Sequence, residues 1–100
     1  MIEIKIPSQI KIAGHDYTVE LVKDMSLQAE GSFGSHSTLL REIKIDARLN
    51  PQEMSCGFIH EFCHAISAVF RHSHLSEEDI SAMSSGIHQV LEQLEIRFVK

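Results

Sequence analysis

Two periods divide the chain. Over its first half apolar residues alternate with polar ones: Glu3 and Lys5 separate Ile2, Ile4 and Ile6, Ile10 and Ile12 follow Pro7-Ser8, and Thr18 and Glu20 separate Tyr17, Val19 and Leu21. A period of two puts every second side chain on one face of an extended strand, so these segments predict half-buried β-strands. The stretch AGHD at 13–16 predicts a turn between two of them. Residues 25–38, MSLQAEGSFGSHST, predict a loop leading into an irregular strand, and Ile43 and Ile45 within LREIKIDARL mark a last one.

At Asn50 the period changes. Asn50, Pro51 and Glu53 supply an N-cap, a proline at the first helical position and the acid of a capping box. Ile59, Phe62, Cys63, Ile66, Val69 and Phe70 then recur at helical spacing, which predicts a helix from about 51 to about 71 with Ile59, Phe62, Cys63 and Ile66 turned to the core. Ser76 and Asp79 form a second capping box, and Ile80, Met83, Ile87, Val90, Leu91 and Leu94 give the following helix an apolar stripe. Strands followed by helices define an α+β fold: a small antiparallel sheet of three to four strands packed on two long C-terminal helices. No composition break or Gly/Ser/Pro-rich linker interrupts the chain, so residues 1–100 are expected to form a single domain.

Composition narrows the partners. Hydrophobic residues make up 43% and charged residues 23%, as in ordinary globular domains. The net charge of -5 and the scatter of nine basic residues argue against nucleic acid. No apolar run approaches the roughly 20 residues that cross a bilayer, and the alternating N-terminus is unlike a signal peptide, so a soluble cytoplasmic protein is expected. Cys56 and Cys63 are seven apart on one predicted helix, about 10 Å, which is beyond disulfide reach; both read as small buried hydrophobes.

Within FIHEFCHAI at 58–66, His60 and His64 are four apart, so on a helix they project from one face a turn apart and can share a metal ion. They sit roughly 110–150° from the centre of the apolar stripe and so are not core histidines by phase. Zinc is the expected metal, with Glu61, about 100° around the helix from His60, as general base. A catalytic zinc needs a third protein ligand, and the candidates are Glu77, Glu78, Asp79 and His88. Glu78 points away from the second helix's apolar stripe, whereas Glu77 and Asp79 flank it.

Reach is the difficulty. In a tight antiparallel hairpin, residues 83–87 would stand level with the two histidines and Glu77 would lie beside Phe70, a miss of about 9 Å. An early end to the first helix, with RHSHLS running back as an extended strap, or a steep helix crossing would close that gap. Otherwise His88 becomes the ligand. His15, His36, His72 and His74 read as exposed turn or loop histidines, and Tyr17 as a core residue.

Taken together, the strands, IKID, NPQE, FIHEFCHAI and LSEEDISAMSSGIHQVLEQ resemble the small zinc-metallopeptidase-like proteins of phages and prophages, and through them the peptidase domain of the ImmA/IrrE family, over roughly residues 10–94. The resemblance implies a minimal zincin-like fold. It implies a metal site of His60, His64 and Glu77, since Glu77, Ile80 and Met83 match the family's register on the helix after the motif. It further implies a zinc-dependent endopeptidase with Glu61 as catalytic base, acting on a protein or peptide substrate. REIKID at 41–46 would be the peptide-binding edge strand. The 13-residue interval from His64 to Glu77 is shorter than in larger relatives, and Ser84-Ser85 departs from the family pattern. The alternative is a catalytically silent zincin-like phage or prophage regulatory protein that binds a partner.

Overall fold

The structure, a computed structural model, describes residues 1–25, 33–70 and 75–100. The expected elements appear in order as strands β1 (Ile2–Lys5), β2 (Gln9–Ile12), β3 (His15–Val22), β4 (Gly34–Ser37) and β5 (Glu42–Asp46), then helices α1 (Pro51–Phe70) and α2 (Glu77–Gln93), and an additional strand β6 (Ile96–Val99) follows. The fold is α+β. Its four-stranded sheet has the order β2-β3-β5-β4, and β1 and β6 form a separate two-stranded sheet.

The four-stranded sheet is mixed rather than antiparallel. β2 and β3 form a hairpin through Ala13-Gly14, both at positive φ. β3 and β5 are parallel, with Val19 opposite Ile43, while β4 and β5 are antiparallel. The chain leaving β3 passes the position next to it, lays down β4 outside, and returns as β5 in between. Alternation reveals that a segment is a strand but not which neighbour it takes, which is why the pairing is not readable locally. One consequence corrects the expected peptide edge: REIKID falls on β5, bonded on both sides, and β4 is the edge strand beside α1. β6 is an element the sequence pattern did not mark. It pairs in parallel with β1, Ile2 opposite Ile96 and Lys5 opposite Val99.

Capping drives both helix starts as expected. The Glu53 N–H donates to Asn50 Oδ1 at 2.8 Å, and the Asp79 N–H donates to Ser76 Oγ at 3.1 Å. Tyr17, Val19, Ile43, Ile45, Met54, Phe58 and Ala65 pack together between the sheet and α1, and Ile59 and Cys63 pack on Ile80 of α2. Tyr17 is a core residue, 1% exposed. Phe58 meets Phe98 of β6 edge to face, and the Phe98 N–H donates to the buried Ser55 hydroxyl, so β6 fastens against α1.

Two apolar expectations fail. Ile66 is 41% exposed rather than facing the core, because Ala65 fills the position against the sheet. On α2 only Ile80 and Ser84 are buried, leaving Met83, Ile87, Val90 and Leu94 open. A helix lying on the flank of α1 buries a narrow strip rather than a whole apolar face.

Between β5 and α1, Asp46 is 1% exposed and accepts hydrogen bonds from the Met25 N–H, the Arg48 N–H and the Arg48 guanidinium. The Arg48 guanidinium also pairs with Asp24. Hydrogen bonding from Arg48, side chain first and then main chain, holds the Asp46 carboxyl well below the usual carboxylate range despite its burial. This clamp fixes the turn that launches α1. Among the described residues, no helix is long and apolar enough to cross a membrane.

Candidate metal centre

α1 presents His60 and His64 on one face, as their four-residue spacing requires, and α2 brings Glu77 to meet them. His60 Nε2 lies 2.9 Å from Glu77 Oε1, His64 Nε2 lies 2.7 Å from Glu77 Oε2, and the two Nε2 atoms are 3.1 Å apart. The miss of about 9 Å that a tight hairpin would produce does not occur. Although α1 continues to Phe70, the Leu75 N–H donates to Ser67 Oγ at 2.9 Å, so the chain has come back a turn along α1 before α2 begins. Residues 71–74, with His72 and His74, lie outside the described residues.

His60, His64 and Glu77 form a group that could hold a metal ion. Glu78, Asp79 and His88 do not join it. The donor set fits a tetrahedral cation: ligand distances of about 2.0–2.1 Å place donor atoms about 3.3 Å apart, within a small rotation of the observed separations. The tautomer fits too. His60 Nδ1 is 3.2 Å from Ser84 Oγ, whose hydroxyl donates to the Ser81 carbonyl at 3.4 Å. That chain uses His60 Nδ1–H as donor and leaves Nε2 with its lone pair toward Glu77 and His64. Ser84 thus orients the ring of His60. For His64, burial disfavours the charged ring and His36 adds to this, outweighing the pull of Glu77 and Glu61. Its pKa is lowered, which favours the neutral imidazole that binds metals.

Glu61 is 8% exposed and faces the same cleft, which has a volume of about 660 Å³. Its carboxylate lies against Gly34 of β4, where a Cβ would come within 2.9 Å of Oε2 and 3.0 Å of Cγ. The missing side chain at Gly34 therefore makes room for the carboxylate. From the same strand His36 contributes a residue that sequence reading assigned to an exposed turn. Its Nδ1 is 3.2 Å from Glu61 Oε1, and its ring stacks on His64 with centroids 4.6 Å apart and planes within 10°. The sequence signal available was position: Gly34 and His36 are two apart, so on a strand they share the face toward α1.

His15 is exposed, as expected. Cys56 and Cys63 are free, and burial pushes both thiols up, away from the reactive thiolate. Cys63 packs in the core, whereas Cys56 lines the cleft with Phe33, Leu49 and Gly57. Comparison of the chain with protein-family models, curated proteins and solved structures finds no match.

Proposed function

We propose that the protein is a zinc-dependent endopeptidase. The observation that carries this reading is the convergence of His60, His64 and Glu77 beside a buried, cleft-facing Glu61. Two imidazoles and a carboxylate are a donor set suited to zinc, and three protein ligands leave a fourth position for chemistry. Bound there, zinc supplies Lewis acidity toward a peptide carbonyl and makes water a better nucleophile. Glu61 takes a proton from the water as its oxygen forms the new C–O bond to the carbonyl carbon, and then gives that proton to the amide nitrogen, so that the C–N bond breaks and the amine leaves. An extended substrate fits along β4, the edge strand that borders the cleft. The resemblance carried by FIHEFCHAI and the segments around it supports a small cytoplasmic phage or prophage peptidase acting on a protein partner.

A second reading is a partner-binding protein that keeps the metal site without turnover. The exposed row of Met83, Ile87, Val90 and Leu94 on α2 favours it. Metal analysis of the purified protein separates these outcomes from a metal-free domain: stoichiometric zinc in the wild type, and its loss in both His60→Ala and Glu77→Ala, is expected. Peptide cleavage that vanishes in Glu61→Gln, with zinc retained, supports the peptidase; a zinc-loaded wild type that cleaves no peptide supports the binding protein. Wild type without zinc sinks both metal-dependent readings.

A further inference from the structure

His36 lines the cleft, and neither the metal set nor the peptidase reading uses it. It is half-buried, it touches Glu61 with its ring, and it lies on the edge strand. An ionised carboxylate only accepts hydrogen bonds, so at the 3.2 Å contact His36 Nδ1–H donates to Glu61 Oε1. The stack on His64 fixes the plane of the His36 ring, and Gly34 receives the other carboxylate oxygen. Glu61 is thereby held from two positions of a single strand.

The register of β4 adds a second property. The Asp46 N–H donates to the Phe33 carbonyl, which makes Phe33 and Asp46 a hydrogen-bonded pair. In an antiparallel ladder such pairs alternate, so Ser35 and Lys44 bond next, and the His36–Ile43 pair does not. The main-chain N–H and C=O of His36 therefore point away from β5, toward the outer edge of the sheet. An extended peptide added at that edge would meet the main chain of the residue whose ring holds the base.

We propose that His36 is a positioning residue for Glu61, setting its carboxylate in the cleft and linking the base to the strand edge where a peptide docks. The proposal rests on the peptidase reading for its kinetic consequence but not for the contact itself. The alternative role, a further metal ligand, disagrees with the geometry, because the Nδ1 of His36 is engaged by Glu61 and the metal group closes without it.

The test has two arms. In the first, ¹⁵N-resolved NMR of the histidine rings at about pH 8, where imidazoles are neutral, reads the His36 tautomer. The Nδ1–H form is expected in the wild type, with a shift toward Nε2–H in Glu61→Ala. An Nε2–H ring in the wild type, or a spectrum unmoved by Glu61→Ala, overturns the proposal. In the second, zinc content and peptidase kinetics are measured for His36→Ala, His36→Asn and Gly34→Ala. His36→Ala should keep its zinc and its KM and lose roughly 10–100-fold in kcat, the usual cost of removing an orienting partner. His36→Asn, whose amide nitrogen can stand where Nδ1 stood, should recover most of it. Gly34→Ala, which crowds the carboxylate from the other side, should reproduce the His36→Ala loss with zinc retained. Zinc lost from His36→Ala, or kcat unchanged in it, overturns the positioning role. A wild type that cleaves no peptide sinks the peptidase reading instead, and the NMR arm still decides the contact.

Discussion

The Leu75 N–H donates to the hydroxyl of Ser67, eight residues back along the chain, and this bond sets which turn of α1 faces the start of α2. Glu77 stands two residues beyond it and reaches both histidines. Ser67 is buried, so nothing from solvent replaces the bond if the hydroxyl is removed. Ser67→Ala is expected to lower stability by about 0.5–1.5 kcal/mol, the net worth of one hydrogen bond, and to weaken zinc binding because Glu77 loses its placement. Denaturant unfolding and a zinc competition titration check the two effects. Unchanged zinc affinity would mean that Ile80, packed on Ile59 and Cys63, places α2 by itself.

Ser84 acts on the metal set from behind. Its hydroxyl accepts from His60 Nδ1 and orients the Nε2 lone pair. Ser84→Ala is expected to reduce zinc affinity roughly 10–100-fold without touching a ligand, whereas Ser85→Ala, at an exposed position, should leave it unchanged. Equal affinities for the two variants would remove the orienting role.

The two isoleucines of α1 that share a predicted face should part in stability. Ile59 is 0% exposed and joins the α1–α2 contact, so Ile59→Ala should cost about 2–5 kcal/mol through lost burial and a cavity. Ile66 is 41% exposed, and Ile66→Ala should cost well under half of that. Chemical denaturation of both variants decides the matter; similar losses would place Ile66 in the core after all.

Acid should act through Asp46. Its folded pKa is depressed by Arg48 below the unfolded value of about 3.9, so its contribution is complete above about pH 5 and drains away as pH falls toward the folded value. The urea midpoint of the wild type should therefore fall from about pH 5 to about pH 2. Arg48→Ala should show a lower midpoint at neutral pH and a flatter acid dependence. Parallel pH profiles for the two proteins would assign the acid sensitivity elsewhere.

Much of this architecture is legible locally and the rest is not, for identifiable reasons. Helix starts are written in caps, and Asn50 with Glu53 and Ser76 with Asp79 announce α1 and α2 because those side chains bond to main-chain groups within three residues. The shared face of His60 and His64 follows from helical geometry alone. Pairing between distant segments carries no such mark: β5 slots between β3 and β4, and β6 finds β1, through contacts that only the assembled chain brings together. His36 departs from its sequence expectation for that reason. As a residue in a polar stretch it looks exposed, and only the placement of β4 against α1 turns its ring onto Glu61. The reach of Glu77 is not readable locally because it depends on where α2 starts along α1, which the bond from Leu75 to Ser67 fixes.

The narrow contact of α2 has a thermodynamic consequence. With Ile80 and Ser84 as its only buried residues, this helix is attached by little apolar surface, and the His60, His64 and Glu77 cluster spans the seam between it and α1. A cation bound there would be a staple as well as a reagent, joining the two helices beside the small apolar contact of Ile80 with Ile59 and Cys63. Any ligand that binds only the folded chain raises its stability by mass action, about 2.7 kcal/mol at a free concentration one hundred times Kd. The melting temperature should therefore climb with added zinc, and Glu77→Ala, which cuts the staple on the α2 side, should flatten that climb.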